Sequence, residues 1–203
     1  MQGSPRGTIK VNDLQGHASP TMPPTAALSG TPGTGKSAIA GLLSGEGWAV
    51  VELNDLARST GAVVGRDEGR ETDEVDLELL TRAVADHLRR LSASRVLLVG
   101  HLAHLMPCDV MVVLRTSPAV LRARLEAREW SPAKVTENVE AEAVGVVLVE
   151  AMETDPPVPV YEVDTTRDAP EDSARLVAAA LEGSATGMEA GWVDWSEEVL
   201  GWY

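Results

Sequence analysis

Apolar and polar positions alternate along this chain with two different periods. Thr25 to Ser29 (TAALS), Trp48 to Leu53 (WAVVEL), Arg95 to Val99 (RVLLV), Val110 to Leu114 (VMVVL) and Val158 to Val163 (VPVYEV) are short, mostly apolar runs. Runs of that length read as strands buried on both faces of a parallel sheet. Between them the period lengthens. Lys36 to Leu43 opens a helix, and Asn54 to Ser59 reads as a short helix capped by Asn54. Val75 to Leu91 carries apolar residues at 75, 79, 80, 84, 88 and 91, the stripe of an amphipathic helix. Ser117-Pro118 and Ser131-Pro132 each set an N-cap residue before a proline at the first helical position. The helices they open are expected to reach about Arg128 and about Thr154. Pro170 to Leu181 forms the last helix, and Gly61 to Thr72 is polar and Gly-rich. Five strands alternating with helices predict an α/β fold with a doubly wound parallel sheet and ligands beyond the carboxyl ends of the strands. No internal repeat is visible.

One segment carries its own chemistry. Gly30 to Ser37 (GTPGTGKS) fits the phosphate-binding pattern G-x-x-x-x-G-K-[ST] at every fixed position. Gly30, Gly33 and Gly35 let the backbone turn where a side chain would clash. Successive N–H groups then cradle a polyphosphate at a helix N-terminus. Lys36 reaches the β- and γ-phosphates, and the Ser37 hydroxyl is placed to ligate Mg²⁺. The strand before the loop and the helix after it set this match apart from a Gly-rich turn without a ligand.

Composition narrows the setting. The 203 residues are enough for one α/β domain with a sizeable core. A single cysteine, Cys108, excludes an intrachain disulfide and fits a reducing cytoplasm. No apolar run approaches a membrane span and no signal peptide is visible, so a cytoplasmic location without membrane contact is expected. Asp and Glu number 31 against 17 Lys and Arg, a net charge of −14. Such a surface suits a high-salt cytoplasm and equally an acidic enzyme from a GC-rich genome. It speaks against nonspecific nucleic-acid binding through a basic face. Residues 1–24 are rich in Gly, Pro and Ser, lack periodicity and read as a disordered N-terminal extension. Met22 offers an alternative start.

Three further groups carry candidate chemistry. Arg58 follows the second strand near the mouth of the cleft, where a guanidinium grips a phosphate in a bidentate way; the alternative is a surface arginine. Arg115, Arg122, Arg124 and Arg128 form a basic cluster in an acidic chain. Arg124 and Arg128 share a helical face, with an anion or the carboxylates of Glu126 and Glu129 between them. Gly100 to His104 (GHLAH) follows the third strand, and His101 is nearest its end. A structural or substrate-orienting role for the histidines is preferred to zinc, since no third ligand accompanies them.

Taken together, GTPGTGKS, NDLAR, GHLAH, VVLRT, RLEAREWSPAKVTENVEAEA and VDWSEE resemble the archaeal members of the adenylate kinase isoenzyme six family. The likeness covers about residues 25–200, and the segment Thr136 to Glu142 and the GHLAH loop are more specific than the phosphate loop. It implies a P-loop NTPase-type three-layer α/β/α fold, nucleoside monophosphate kinase-like, over residues 25–183. It implies a kinase that passes the terminal phosphate of ATP to AMP or another nucleoside monophosphate, with ATPase activity and Mg²⁺ as cofactor. Gly33, Gly35, Lys36, Ser37 and Ala38 would bind the donor. Residues from about 54 to 76 would form the monophosphate arm. Residues from about 127 to 137 would form the lid, with Arg128 on the donor phosphates. Lys36, His101 and Arg128 are the catalytic candidates and Ser37 the metal ligand. The family's part in late small-subunit maturation implies a small-subunit platform ribosomal protein as partner, and contact with pre-ribosomal RNA.

Two positions depart from the family pattern. Relatives usually carry an acid two residues before the loop histidine, where this chain has Val99. Glu129-Trp130 replaces a usual Gly-Tyr, which predicts a stiffer hinge while keeping an aromatic able to stack on a base. An assembly ATPase with secondary kinase activity is the alternative reading, and a kinase for an unrelated small molecule is a third. In the aromatic tail, residues 184–203, Trp192, Trp195 and Val199 are spaced to share a helical face. Docking on the domain itself is favoured over a partner-binding anchor, because unburied tryptophans are costly.

Overall fold

The computed structural model of the protein describes residues 22–69 and 71–202. The extension expected at residues 1–24 therefore lies, up to residue 21, outside the described residues. The elements run β1 (Thr25–Gly30), α1 (Lys36–Gly45), β2 (Ala49–Glu52), α2 (Leu53–Thr60), β3 (Val63–Asp67), β4 (Thr72–Val75) and α3 (Leu77–Arg90). They continue with β5 (Val96–Val99), a single 3₁₀ turn (Ala103–Leu105), β6 (Val110–Arg115), α4 (Pro118–Glu126), α5 (Pro132–Ala143) and α6 (Val146–Met152). The chain then forms β7 (Val160–Asp164), α7 (Pro170–Leu181) and α8 (Ser196–Leu200).

Five strands form one parallel sheet in the order β2-β5-β1-β6-β7. β1 is buried along its whole length between β5 and β6. Alternate residues of each strand feed two separate cores, as the pleat demands. Ala27, Leu98 and Val113 pack with Leu80, Val84 and Leu88 of α3 and Leu148 of α6. Ala26, Leu97 and Val112 pack on the other face with Ile39 and Leu43 of α1 and Val177 of α7. Each fully buried Leu or Val contributes about 1.5–3 kcal/mol, so these two layers hold the strand ends, and the loops beyond them, in place. Leu121, Leu125, Val135 and Val139 join α4 to α5 in a third, smaller cluster. Among the described residues, no helix is long and apolar enough to cross a membrane.

Several local expectations are corrected. α2 begins at Leu53 with Glu52 in the cap position, so Asn54 lies inside the first turn and does not cap it. The polar stretch Gly61 to Thr72 is mostly an antiparallel hairpin, β3 with β4, bulged between Val63 and Gly65. Its strands are half exposed, which hides them from an apolar pattern. The helix expected from Pro132 to Thr154 breaks at Gly145, whose φ of +68° turns the chain left-handed. A Cβ there would stand 3.6 Å from the Arg115 guanidinium. Ser117 precedes α4 but makes no side-chain cap; Glu198 from the tail accepts from the Ala119 N–H instead.

The tail also departs from a simple helical stripe. Only Ser196–Leu200 is helical, and Trp192 and Trp195 precede it. Residues 188–190 lie along β7, the edge strand of the sheet, where Glu162 N–H donates to Met188 O and Ala190 N–H to Val160 O. Tyr161 and Glu189 form an antiparallel bridge, and the exposed row of backbone groups is partly covered.

Candidate active site

The turn from β1 into α1 is shaped by its glycines. Gly33 has φ +101°, and a Cβ there would sit 2.7 Å from Leu121 Cδ1. Gly35 has the same φ but open space around its Cβ position. One glycine lets the loop pack on α4, and the other leaves room for a ligand over the N-terminus of α1. Ser37 and Ala38 open that helix in exposed positions. Lys36 Nζ donates to Gly30 O at 2.6 Å and Thr31 O at 3.0 Å. Burial pushes its pKa down to about 8; Glu142 opposes that shift, Arg128 adds to it and Glu52 opposes it.

These groups line a cleft of about 680 Å³ together with Arg58, Asp73, His101, Arg128 and Trp130. The cleft thus brings the phosphate loop, Arg58, His101 and Arg128 together. Arg58 Nη2 and Nε donate to Asp73 Oδ2 at 3.0 and 3.2 Å, linking α2 to β4. His101 is held near a pKa of 4 by burial, then by Lys36 and His104, so it is a neutral imidazole. Its neighbour His104 is buried, with Nδ1 2.8 Å from Ser29 Oγ and Nε2 2.9 Å from Glu150 Oε2. The two histidines therefore separate: His104 pins its loop to β1 and α6, while His101 faces the cleft.

The arginine cluster separates too. Arg128 lies beyond the end of α4 and lines the cleft; burial first, and then Arg128, pushes the pKa of Arg124 down. Arg124 donates to Thr165 O at 2.7 Å and to Gly33 O at 3.4 Å, clamping α4 against the phosphate loop. Arg122 is not among the residues lining the cleft. Arg115 is 4% exposed; its Nε donates to Glu142 Oε1 at 2.7 Å and its Nη1 to Glu162 Oε1 at 2.5 Å.

Glu142, which closes the motif segment Thr136 to Glu142, and Glu162 shape the site, although neither is a site candidate from sequence alone. Glu142 Oε2 accepts from Thr31 Oγ1 at 2.6 Å, and Glu142 Oε1 from Thr116 N–H at 3.1 Å and Trp195 Nε1 at 3.4 Å. Glu162 Oε2 accepts from the Gly191 and Trp192 N–H groups. The signal for both was a charge on an otherwise apolar pattern. Glu142 continues the Val135–Val139 face of α5, and Glu162 stands inside the last apolar strand. On the far side of the cleft, Lys134 Nζ donates to Glu71 O at 2.8 Å and lies 4.4 Å from the Trp130 ring centroid. One face of Trp130 is therefore taken by a cation, which limits the stacking expected of it.

The AAA domain family matches residues 27–145, from β1 to the break after α5. A protein of Thermococcus onnurineus, described as "Putative adenylate kinase", is 42% identical over 173 residues, covering 85% of this chain and 91% of its own. A protein of Methanothermobacter thermautotrophicus with the same description is 42% identical over 175 residues, covering 86% of this chain and 98% of its own. The chain belongs to this archaeal adenylate kinase family. The family's P-loop accounts for the shape of the glycine turn and for ATP as phosphoryl donor. The crystal structure of TT1252 from Thermus thermophilus shares the fold, with a TM-score of 0.54 at 21% identity over 82% of this chain and 100% of that one. The architecture is that of a three-layer α/β/α P-loop nucleotide kinase.

Proposed function

We propose that this kinase transfers the terminal phosphate of ATP to AMP or another nucleoside monophosphate, ATP + AMP ⇌ 2 ADP, and hydrolyses ATP when water takes the acceptor's place. One observation carries the reading: a single cleft is lined by the phosphate loop, Arg58 and Arg128. Backbone N–H groups of the loop, from Gly33 and Gly35 to Ser37 and Ala38, cradle the donor's phosphates. Lys36 leaves the Gly30 and Thr31 carbonyls for the β- and γ-phosphate oxygens. Arg58 grips the acceptor's phosphate from the arm at residues 54–76. Arg128 comes in from the lid at residues 127–137 and neutralises charge on the transferred group. His101, uncharged, orients the reacting groups by hydrogen bonding. Transfer of this kind is mostly positioning and charge neutralisation, which is what two arginines and a lysine around one cleft supply.

Hard oxygen donors suit Mg²⁺, and the Ser37 hydroxyl at the cleft fits it. When bound, the ion neutralises charge on the β- and γ-phosphate oxygens. A role in small-subunit maturation, with its ribosomal protein and RNA partners, rests on the motif resemblance alone. ADP formation measured with and without AMP tests the proposal. Acceleration by AMP supports the kinase reading, and an equal rate without AMP favours the ATPase.

A further inference from the structure

The carboxylate of Glu52 stands at the carboxyl end of β2, beside β5 in the sheet. The register sets it opposite Val99. Both residues line the cleft together with Lys36 and Ser37. At this level β5 ends in an apolar side chain, and Glu52 is the acid one strand across.

The other carboxylates around the cleft are placed differently. Asp73 is paired with Arg58 and Arg66. Glu71 lies at the hairpin turn, and Glu137 lies on α5 and has a partner. Glu142 is committed to Thr31 and Arg115 behind the loop. Glu52, by contrast, is half buried and accepts no capping bond from α2, although it occupies the cap position. Its charged neighbours are Lys36 and Asp55. A hard cation held by a hydroxyl keeps most of its waters, and a nearby carboxylate turns those waters and fixes the ion.

We propose that Glu52 is a positioning residue for nucleotide-bound magnesium, holding through water the ion that the Ser37 hydroxyl would ligate. The role rests on reading the cleft as a kinase site. It adds a residue from β2 to the metal's surroundings.

Mn²⁺ is the probe, titrated by electron paramagnetic resonance into the protein saturated with a non-hydrolysable ATP analogue. Glu52→Gln should weaken Mn²⁺ binding about tenfold or more. Analogue affinity without metal should stay within about twofold of wild type. Val99→Asp added to Glu52→Gln should restore metal affinity, because the register places the new acid beside the lost one. Unchanged Mn²⁺ affinity in Glu52→Gln, or no recovery in the double variant, overturns the proposal. An equal loss of analogue binding without metal also overturns it, making Glu52 a nucleotide contact. If the glutamine variant does not fold, Val99→Asp alone serves. A second acid should then tighten Mn²⁺ binding about threefold, and unchanged affinity overturns the role. A wild-type chain that fails to bind the analogue would overturn the kinase reading itself. Retained analogue binding with metal affinity unchanged in Glu52→Gln overturns the role of Glu52 alone.

Discussion

The Thr31 hydroxyl donates to Glu142 Oε2 at 2.6 Å and ties the phosphate loop to α5. Glu142 is also the largest favourable charge acting on Lys36 and the partner of buried Arg115. One carboxylate thus anchors the loop from behind and supports the ammonium in front. Glu142→Ala should cost about 3–5 kcal/mol, the usual loss when one member of a buried pair is removed. Glu142→Gln keeps the shape and should cost less, while lowering the Lys36 pKa further. Urea unfolding of both variants checks the order; equal stability with wild type would refute the anchoring.

Lys36 should trade stability for function. Lys36→Ala should lose transfer and hydrolysis together, with about 2.7–4 kcal/mol of transition-state stabilisation removed, as for one lost charge clamp. The folded value near 8 lies below the ordinary 10.5, so the unfolded chain binds this proton more tightly. The nucleotide-free protein should therefore gain stability from this group as pH rises from about 8 to 10.5, with no contribution to the slope below that window. Lys36→Met should remove the rise and melt higher than wild type at pH 7. Thermal melts across pH 7–11, without nucleotide, read this directly.

Arg58→Ala should weaken the monophosphate more than ATP, because Arg58 is carried by α2 and not by the phosphate loop. Its exposed pair with Asp73 should be worth less than about 1 kcal/mol, so the variant should fold normally. Calorimetric titration with AMP and with an ATP analogue separates the two sites, and equal losses would count against the placement.

Glu129 sits at φ +59°, a conformation that costs a non-glycine residue about 1–2 kcal/mol. Glu129→Gly should raise stability by up to about 1 kcal/mol and ease the movement of residues 127–137. A melting temperature at or below that of wild type would show that the strain is offset locally.

The sheet and its loop were legible because their signals are local. Five apolar runs marked the five strands, and GTPGTGKS marked the loop with no help from the fold. Residues paired across long sequence distances were not legible. Arg115 reads as one more arginine of a basic cluster, and only the fold places it between Glu142 and Glu162, 27 and 47 residues away. The β3–β4 hairpin was missed because half-exposed strands lack an apolar run. Gly145 broke a helix whose apolar pattern continues through Val146 to Leu148. Arg58 and His101 are legible because they follow strands whose ends the sheet aligns, and Arg128 because it closes a basic helix; all three line one cleft.

Truncation after Gly183 should destabilise the protein without altering the phosphate loop. It removes the Gly191 and Trp192 N–H donors from Glu162, which is 0% exposed, and the Glu198 cap from α4. Each buried polar group left unsatisfied costs about 1–3 kcal/mol. Calorimetric melting should show a clear drop. An unchanged melting temperature with lost binding to a protein partner would make the tail an interface.

The order of synthesis gives this tail contact a further consequence. Glu162 is translated 29 residues ahead of Gly191, the first donor that covers its second oxygen. The chain therefore makes β7 before the groups that cover it, and until the tail docks that oxygen lacks its backbone donors and the outer edge of the strand is open. Until then the strand is free to pair with another chain.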